Sequence, residues 1–275
     1  MEKYSVLMSV YHAERPDDFE KAIGSMMEQT VVTDDFVIVC DGPLTTELDA
    51  VLERYVERYD EVFNIIRLPQ NQGIGAAANI GLEACKNDLV AKLDADDIAV
   101  PDRCEKQLER FAANDALTVL GGFLQEFDRD PDRPFAIRPV PETNEDIRRF
   151  ARRRQPFNNT TVMFRRSAVQ AVGGYRPLRR NEDYDLYVRL LLKGYYAENL
   201  PHTLVKAKVD RDACQRRASW ATLKGTAVSR WSAVRLGYSS VWDFIVCCAG
   251  ETLICVCPGK VQQLLYQRFL RQDVG

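Results

Sequence analysis

Short apolar runs alternate with amphipathic segments from Ser5 to Leu93, and this alternation fixes the fold class. The runs Ser5–Val10, Phe36–Cys40, Phe63–Arg67 and Leu89–Leu93 read as buried strands. Between them, Asp17–Gln29 sets Phe19, Ile23, Met26 and Met27 at helical spacing. Leu48–Tyr59 is amphipathic behind Thr45 and Thr46, and Ile74–Cys85 is made largely of small residues. Strand–helix repeats of this kind predict an α/β fold with a mostly parallel sheet and helices on both faces.

Beyond Pro101 the pattern is less regular. A helix over Pro101–Ala113 leads to a strand near Thr118–Phe127 and a charged, proline-containing loop, Asp128–Pro141. A helix over Asn144–Arg153, a strand Val162–Phe164, a break at Val172-Gly173-Gly174-Tyr175 and a helix from Glu182 through Tyr184–Lys193 follow. Past about residue 206, Trp220, Trp231 and Trp242 lie in helical-looking segments. Ser240–Val256 is strongly apolar, and Lys260, Arg268 and Arg271 sit among Leu264, Leu265, Tyr266, Phe269 and Leu270. Basic residues mixed with aromatics suit either a membrane surface or a helical hairpin packed on the main domain.

The composition, 46% hydrophobic and 28% charged over 275 residues, is that of a globular chain with a sizeable core. The net charge of −3 gives no sign of a nucleic-acid partner. Local basic runs (Arg148, Arg149 and Arg152–Arg154; Arg176, Arg179 and Arg180; Arg211, Arg216 and Arg217) read as solvated faces or as contacts to diphosphate or anionic lipid. Eight cysteines occur, and Cys40, Cys85 and Cys104 lie in or beside apolar segments, as buried reduced thiols do. Met1-Glu2-Lys3 leads directly into a strand, and no apolar run reaches the ~20 residues of a membrane span, so a cytoplasmic protein is expected.

The chemistry concentrates at strand ends, where open α/β sheets bind ligands. These are Tyr11–Glu14, Asp41, Asn71–Gly73 and Asp94-Ala95-Asp96-Asp97. Carboxylates so close together repel unless a cation joins them, and a hard divalent ion bridging to a diphosphate is one answer. Capping of the helix after Pro101, or a solvated turn, is the other. Asp41 before Gly42 suits a base N–H or a turn equally.

Ser9-Val10-Tyr11-His12-Ala13-Glu14, Ser25…Gln29-Thr30, Asp41-Gly42, Asn71-Gln72-Gly73, Leu93-Asp94-Ala95-Asp96-Asp97…Pro101 and Asn181-Glu182-Asp183-Tyr184-Asp185-Leu186 occur in that order. In this the chain resembles glycosyltransferase family 2, with the nucleotide-sugar-binding GT-A fold, over about residues 4–205. Asp41-Gly42-Pro43, Arg138…Pro141 and Asn158…Thr161-Val162-Met163-Phe164 resemble bacterial exopolysaccharide and O-antigen transferases of the amylovoran-biosynthesis type.

The resemblance implies a catalytic domain over 1–205 (1–97 nucleotide-binding, 98–205 acceptor half) and a helical region over 206–275. It implies that Tyr11 and Asp41 hold the uracil of a UDP-sugar with Glu14 nearby, that Asn71 and Gly73 border the uridine, and that Val10 and Ala95 also belong to the nucleotide-sugar site. Asp94 would meet the ribose, and Asp96 would ligate Mg²⁺ or Mn²⁺ on the diphosphate. Arg216 or Arg217 would add positive charge. Asn158, Asn159 and Glu182 would face the acceptor, a saccharide or polyprenyl-diphosphate-linked saccharide. Asp183 would be the catalytic base of an inverting transfer, its pKa lowered by the helix N-terminus, with Glu182 and Asp185 as competing acids and helix capping as the alternative role.

Two departures stand out. The chain has only His12 and His202, and His202 after Pro201 reads as a loop residue rather than the late histidine that completes the metal shell in many relatives. The Gln-x-x-Arg-Trp motif and spans of processive synthases are missing, so one sugar per acceptor is expected. A sugar-phosphate nucleotidyltransferase would need a glycine-rich, basic signature where Tyr11-His12-Ala13-Glu14 stands. An inactive nucleotide-sugar-binding protein would not need so many acids.

Overall fold

The computed structural model describes residues 2–178, 180–209, 220–256 and 272–273. Its parallel part is β1 (Tyr4–Val10), β2 (Phe36–Cys40), β3 (Phe63–Arg67) and β4 (Leu89–Lys92), linked by α1 (Pro16–Met27), α2 (Thr46–Arg58) and α3 (Ile74–Ala84). β1 pairs in parallel with both β2 and β4, and β2 with β3. Every residue of β2 is buried because helices cover both faces. Val6, Met8, Phe36 and Ile38 enter one core with α1 and α2, while Leu7, Val37 and Val39 enter the other with α3. Pro16 starts α1, and the Thr45 hydroxyl caps α2 by accepting from the Leu48 amide at 3.3 Å. The small residues of α3 allow close approach: a Cβ on Gly81 would lie 2.3 Å from Leu7 Cδ1.

β4 is a seam. Its other edge pairs antiparallel with β8 (Met163–Arg165), which pairs with β6 (Leu117–Phe127). β6 also carries β7 (Ala136–Arg138), antiparallel, and β9 (Tyr196–Lys208), parallel. β5 (Ile98–Ala99) pairs with β9, and β10 (Gln272–Asp273) with β7. The sheet is thus parallel in its first half and mixed in its second. β7 lies inside the segment expected as loop, and β9 was not anticipated. Asn199, Pro201 and His202 break its alternation, and it shifts register against β6 between Gly122 and Leu124. It runs through residue 205 without interruption.

Helices α4 (Arg103–Ala113), α5 (Asn144–Ala151), α6 (Arg166–Ala171) and α7 (Glu182–Leu192) complete the main body. A hairpin of α8 (Trp220–Arg235) and α9 (Val241–Val256) packs through α8 on α7. No helix among the described residues is long and apolar enough to cross a membrane. Cys40, Cys85 and Cys104 are buried free thiols, and Cys247 and Cys248 are half-buried on α9. Lys260 to Arg271, with its basic and aromatic residues, lies outside the described residues.

Candidate active site

The Ser25…Gln29-Thr30 motif locks the acidic turn in place. The Ser25 hydroxyl accepts from the Ala99 amide at 3.0 Å, and Gln29 donates to the Val100 carbonyl at 2.8 Å. Gln29 Oε1 also accepts from the Cys104 amide at 2.9 Å, and the Thr30 amide donates to the Pro101 carbonyl at 2.9 Å. These bonds tie α1 to the chain after Asp97. From beneath, fully buried Arg103 donates to the Lys92 carbonyl at 2.7 Å.

Asp94, Asp96 and Asp97 line a cleft of about 260 Å³ with Gln155, Asn158, Asn159, Thr160, Asp183 and Lys208. This is small against the roughly 300–1,000 Å³ of drug-sized sites, and suits a sugar better than a whole nucleotide. Asp94 pairs with buried Lys92, and its amide donates to Thr160 Oγ1 at 3.1 Å. Asp18 pairs with Lys208 at 2.6 Å, joining α1 to β9. These cations do not balance the acids. Burial, then Asp96 and Asp94, pushes Glu14 up to about 7. Burial and Asp94 raise Asp96, and burial with both neighbours raises Asp97 well above the usual range. Among the described residues no three His, Cys, Asp or Glu side chains converge to hold an ion by themselves. The donor set is nonetheless hard oxygen with excess negative charge, the chemistry that suits Mg²⁺ or Mn²⁺ shared with a diphosphate.

A second group forms at the ends of β1, β2 and β3. The Asp41 amide donates to the Val10 carbonyl at 2.8 Å. The Asp41 carboxylate accepts from the Gln72 and Gly73 amides at 2.7 and 3.0 Å, and Asn71 Nδ2 donates to the Asp41 carbonyl at 3.2 Å. Gly73 has φ +91°, a conformation that suits glycine. The Asp41 carboxylate therefore braces the Asn71–Gly73 loop across the sheet rather than its own turn before Gly42. Tyr11 is exposed beside this group, and Val10 and Ala95 are buried.

Asp183 opens α7 and faces the cleft. Its carboxylate accepts from Gln155 Nε2 at 2.6 Å and from the Tyr184 amide at 2.7 Å. Burial raises its pKa, and the Tyr184 amide, Lys92 and Gln155 only partly offset this. That is opposite to the lowering expected from the helix terminus: desolvation exceeds the dipole. The competing acids separate. Asp185 is buried, 2.7 Å from Arg189, and accepts from Ser232 at 3.0 Å. Glu182, its pKa raised by burial, turns toward α3, where a Cβ on Gly75 would lie 3.5 Å from its Cγ. Asn158 donates to the Gly122 and Arg138 carbonyls at 2.9 and 3.0 Å, and Asn159 accepts from Tyr187 at 2.8 Å. Both brace the cleft wall. His202 is exposed on β9 rather than in a loop. Arg211, Arg216 and Arg217 lie outside the described residues.

Lys92, Gln155 and Lys208 escaped the sequence reading. Lys92 had a signal, as the lone charge inside an apolar strand. Gln155 and Lys208 had none, since their place depends on long-range pairing.

The model for "Glycosyl transferase family 2" matches residues 5–173. The amylovoran biosynthesis glycosyltransferase AmsE of Erwinia amylovora is 33% identical over 265 residues, covering 96% of this chain and 98% of that protein. The UDP-Gal:alpha-D-GlcNAc-diphosphoundecaprenol beta-1,3-galactosyltransferase of Escherichia coli is 30% identical over 270 residues, covering 98% of this chain and 97% of that one. S. aureus TarS 1-349 in complex with UDP-GlcNAc superposes with a TM-score of 0.64 at 16% identity, covering 98% of this chain and 73% of that one. The mannosyltransferase PcManGT of Pyrobaculum calidifontis, in complex with GDP-Man and Mn²⁺, gives 0.63 at 16% identity over 97% of this chain and 79% of that one. On the extent of these matches, the chain belongs to glycosyltransferase family 2 and has the GT-A fold.

Proposed function

We propose that this glycosyltransferase moves one hexose or N-acetylhexosamine from a UDP-sugar to a lipid-diphosphate-linked saccharide, with inversion, in bacterial surface-polysaccharide synthesis at the inner face of the plasma membrane. The observation that carries the reading is one cleft holding Asp94 and Asp96 on one wall and Asp183 on another. The activity that names the Escherichia coli relative supports a UDP-hexose donor and a diphosphate-linked acceptor.

Tyr11, Asp41, Asn71 and Gly73 border the nucleoside, with Val10 and Glu14 nearby, and Asp94 and Ala95 lie toward the ribose. Arg216 and Arg217 are proposed to add charge at the diphosphate. A bound Mg²⁺ or Mn²⁺ supplies Lewis-acid neutralisation of the departing diphosphate, and Asp96 would hold it. Asp183 takes the proton of the acceptor hydroxyl as that oxygen bonds to the anomeric carbon from the face opposite the leaving group. Its raised pKa makes it a better proton acceptor than an ordinary aspartate while it is ionised. Gln155 and the Tyr184 amide hold its two oxygens, and Glu182, which lies against Gly75 of α3, is proposed to face the acceptor.

Asp183→Asn tests the assignment. It should keep UDP binding and lower transfer about 10²–10⁴-fold. Transfer at the wild-type rate would remove Asp183 from the reaction.

A further inference from the structure

The α8–α9 hairpin is fastened to the segments that carry Asp183 and Gln155. Asp243 of α9 pairs with Arg152 at 2.8 Å and Arg153 at 2.6 Å, just before Gln155. Tyr238 and Ser239 of the turn donate to the Arg148 and Arg152 carbonyls at 2.9 and 2.8 Å. Arg230 of α8 stacks on the Tyr184 ring, 3.4 Å from its centroid, and Asn181 donates to Ser229 at 3.4 Å. Burial alone would raise Asp243, but bonds from Ser240, Arg153 and Arg152 hold it below the usual carboxylate range.

The outward face of α9 is apolar. Trp242, Ile245, Ala249 and Leu253 follow at helical spacing, and three of them are 66%, 48% and 57% exposed (Trp242, Ile245 and Leu253). On α8, Val228 and Trp231 are 50% and 46% exposed. Monomeric soluble proteins seldom leave such clusters in water. The charges beside them have one sign. Among the described side chains of the hairpin, the exposed charged groups are Lys224 and Arg235, while Asp243 is buried and Glu251 half-buried. Arg152 and Arg153 are about half exposed and share one carboxylate, so positive charge remains where α9 meets α5. An apolar helix face with interfacial tryptophans and a cationic rim suits a bilayer of anionic phospholipid. A protein partner would not require a rim of one sign. The 16 described residues of α9 are too few to span the hydrocarbon, and their one-sided apolar face suits a helix lying along the surface.

We infer that the exposed apolar faces of α8 and α9, with Lys224 and Arg235 on α8 and Arg152 and Arg153 beside α9, dock this protein on an anionic membrane surface. Docking there would hold the segments that carry Gln155 and Asp183 near the bilayer, within reach of a lipid-linked acceptor. That consequence rests on the proposed lipid-linked acceptor, whereas the docking face does not.

The full-length chain is sedimented with phosphatidylglycerol-containing vesicles and with pure phosphatidylcholine vesicles. It should bind the former, lose affinity at high salt, and show a blue-shifted tryptophan emission. Trp242→Ser combined with Ile245→Ser should weaken vesicle binding about tenfold or more, with UDP binding and the melting temperature unchanged. Absence of wild-type binding to anionic vesicles overturns the inference, as does a double variant that binds equally well. Self-association in analytical ultracentrifugation that the double variant abolishes, without vesicle binding, would show that a second copy covers the face. Vesicle binding in a protein that fails to bind UDP would count against the donor reading alone.

Discussion

The two halves of the sheet reach the same cleft by different routes. From β1 to β3 each strand pairs with the next in a local strand–helix repeat, β4 closes on the other edge of β1, and the candidate binding groups stand at successive strand ends. Beyond β4, distant segments pair: Leu117 lies beside Tyr196, and Ile98 beside Lys206. The proposed donor half therefore has its candidate site groups in sequence order. The acceptor half gathers Gln155, Asn158, Asp183 and Lys208 from separate elements. The halves meet at β4, where Lys92 neutralises part of the acidic turn.

Breaking the seam should have the largest effect. Lys92→Met leaves Asp94 without the buried cation it pairs with. Loss of one partner from a buried pair costs about 3–5 kcal/mol, and the half-exposed Asp94 places this one at the lower end. The urea midpoint should fall without a change in slope, and an unchanged midpoint would mean that the halves are joined by packing alone.

A smaller change should touch only the acceptor half. Gln155→Leu removes a bond that favours ionised Asp183. Turnover should fall about tenfold with little change in donor KM, and the acidic limb of the pH–rate profile should move to higher pH. Equal losses in donor binding and turnover would show that the halves do not separate functionally.

The smallest effect belongs to the donor half. Glu14 is raised from 4.5 to about 7, so the folded protein binds its proton more tightly than the unfolded chain. Stability from this group is greatest at low pH and is lost as pH rises through that window. Glu14→Gln should therefore raise the Tm of the ligand-free protein by about 2–4 °C at pH 8 and leave it nearly unchanged at pH 4. An equal shift at both pH values would point to packing rather than charge.

The same contrast explains what was legible in the chain. β2 and β3 fall at the expected residues because continuous apolar runs bounded by turn residues are local signals. The acids at Asp94–Asp97 and Asp183 stood out because they end a strand and open a helix. β9 was hidden because its partner lies far away and Pro201 interrupts its pattern. Gln155 was hidden because its bond to Asp183 forms only when α5 and α7 pack. The direction of the Asp183 pKa also depended on burial, which periodicity does not reveal.

Anomalous diffraction from crystals soaked with UDP and Mn²⁺ tests the donor-side chemistry most directly. The predicted result is a manganese peak bonded to the Asp96 carboxylate and to the diphosphate, lost in Asp96→Asn. UDP in clear density with no peak at Asp96 would contradict it.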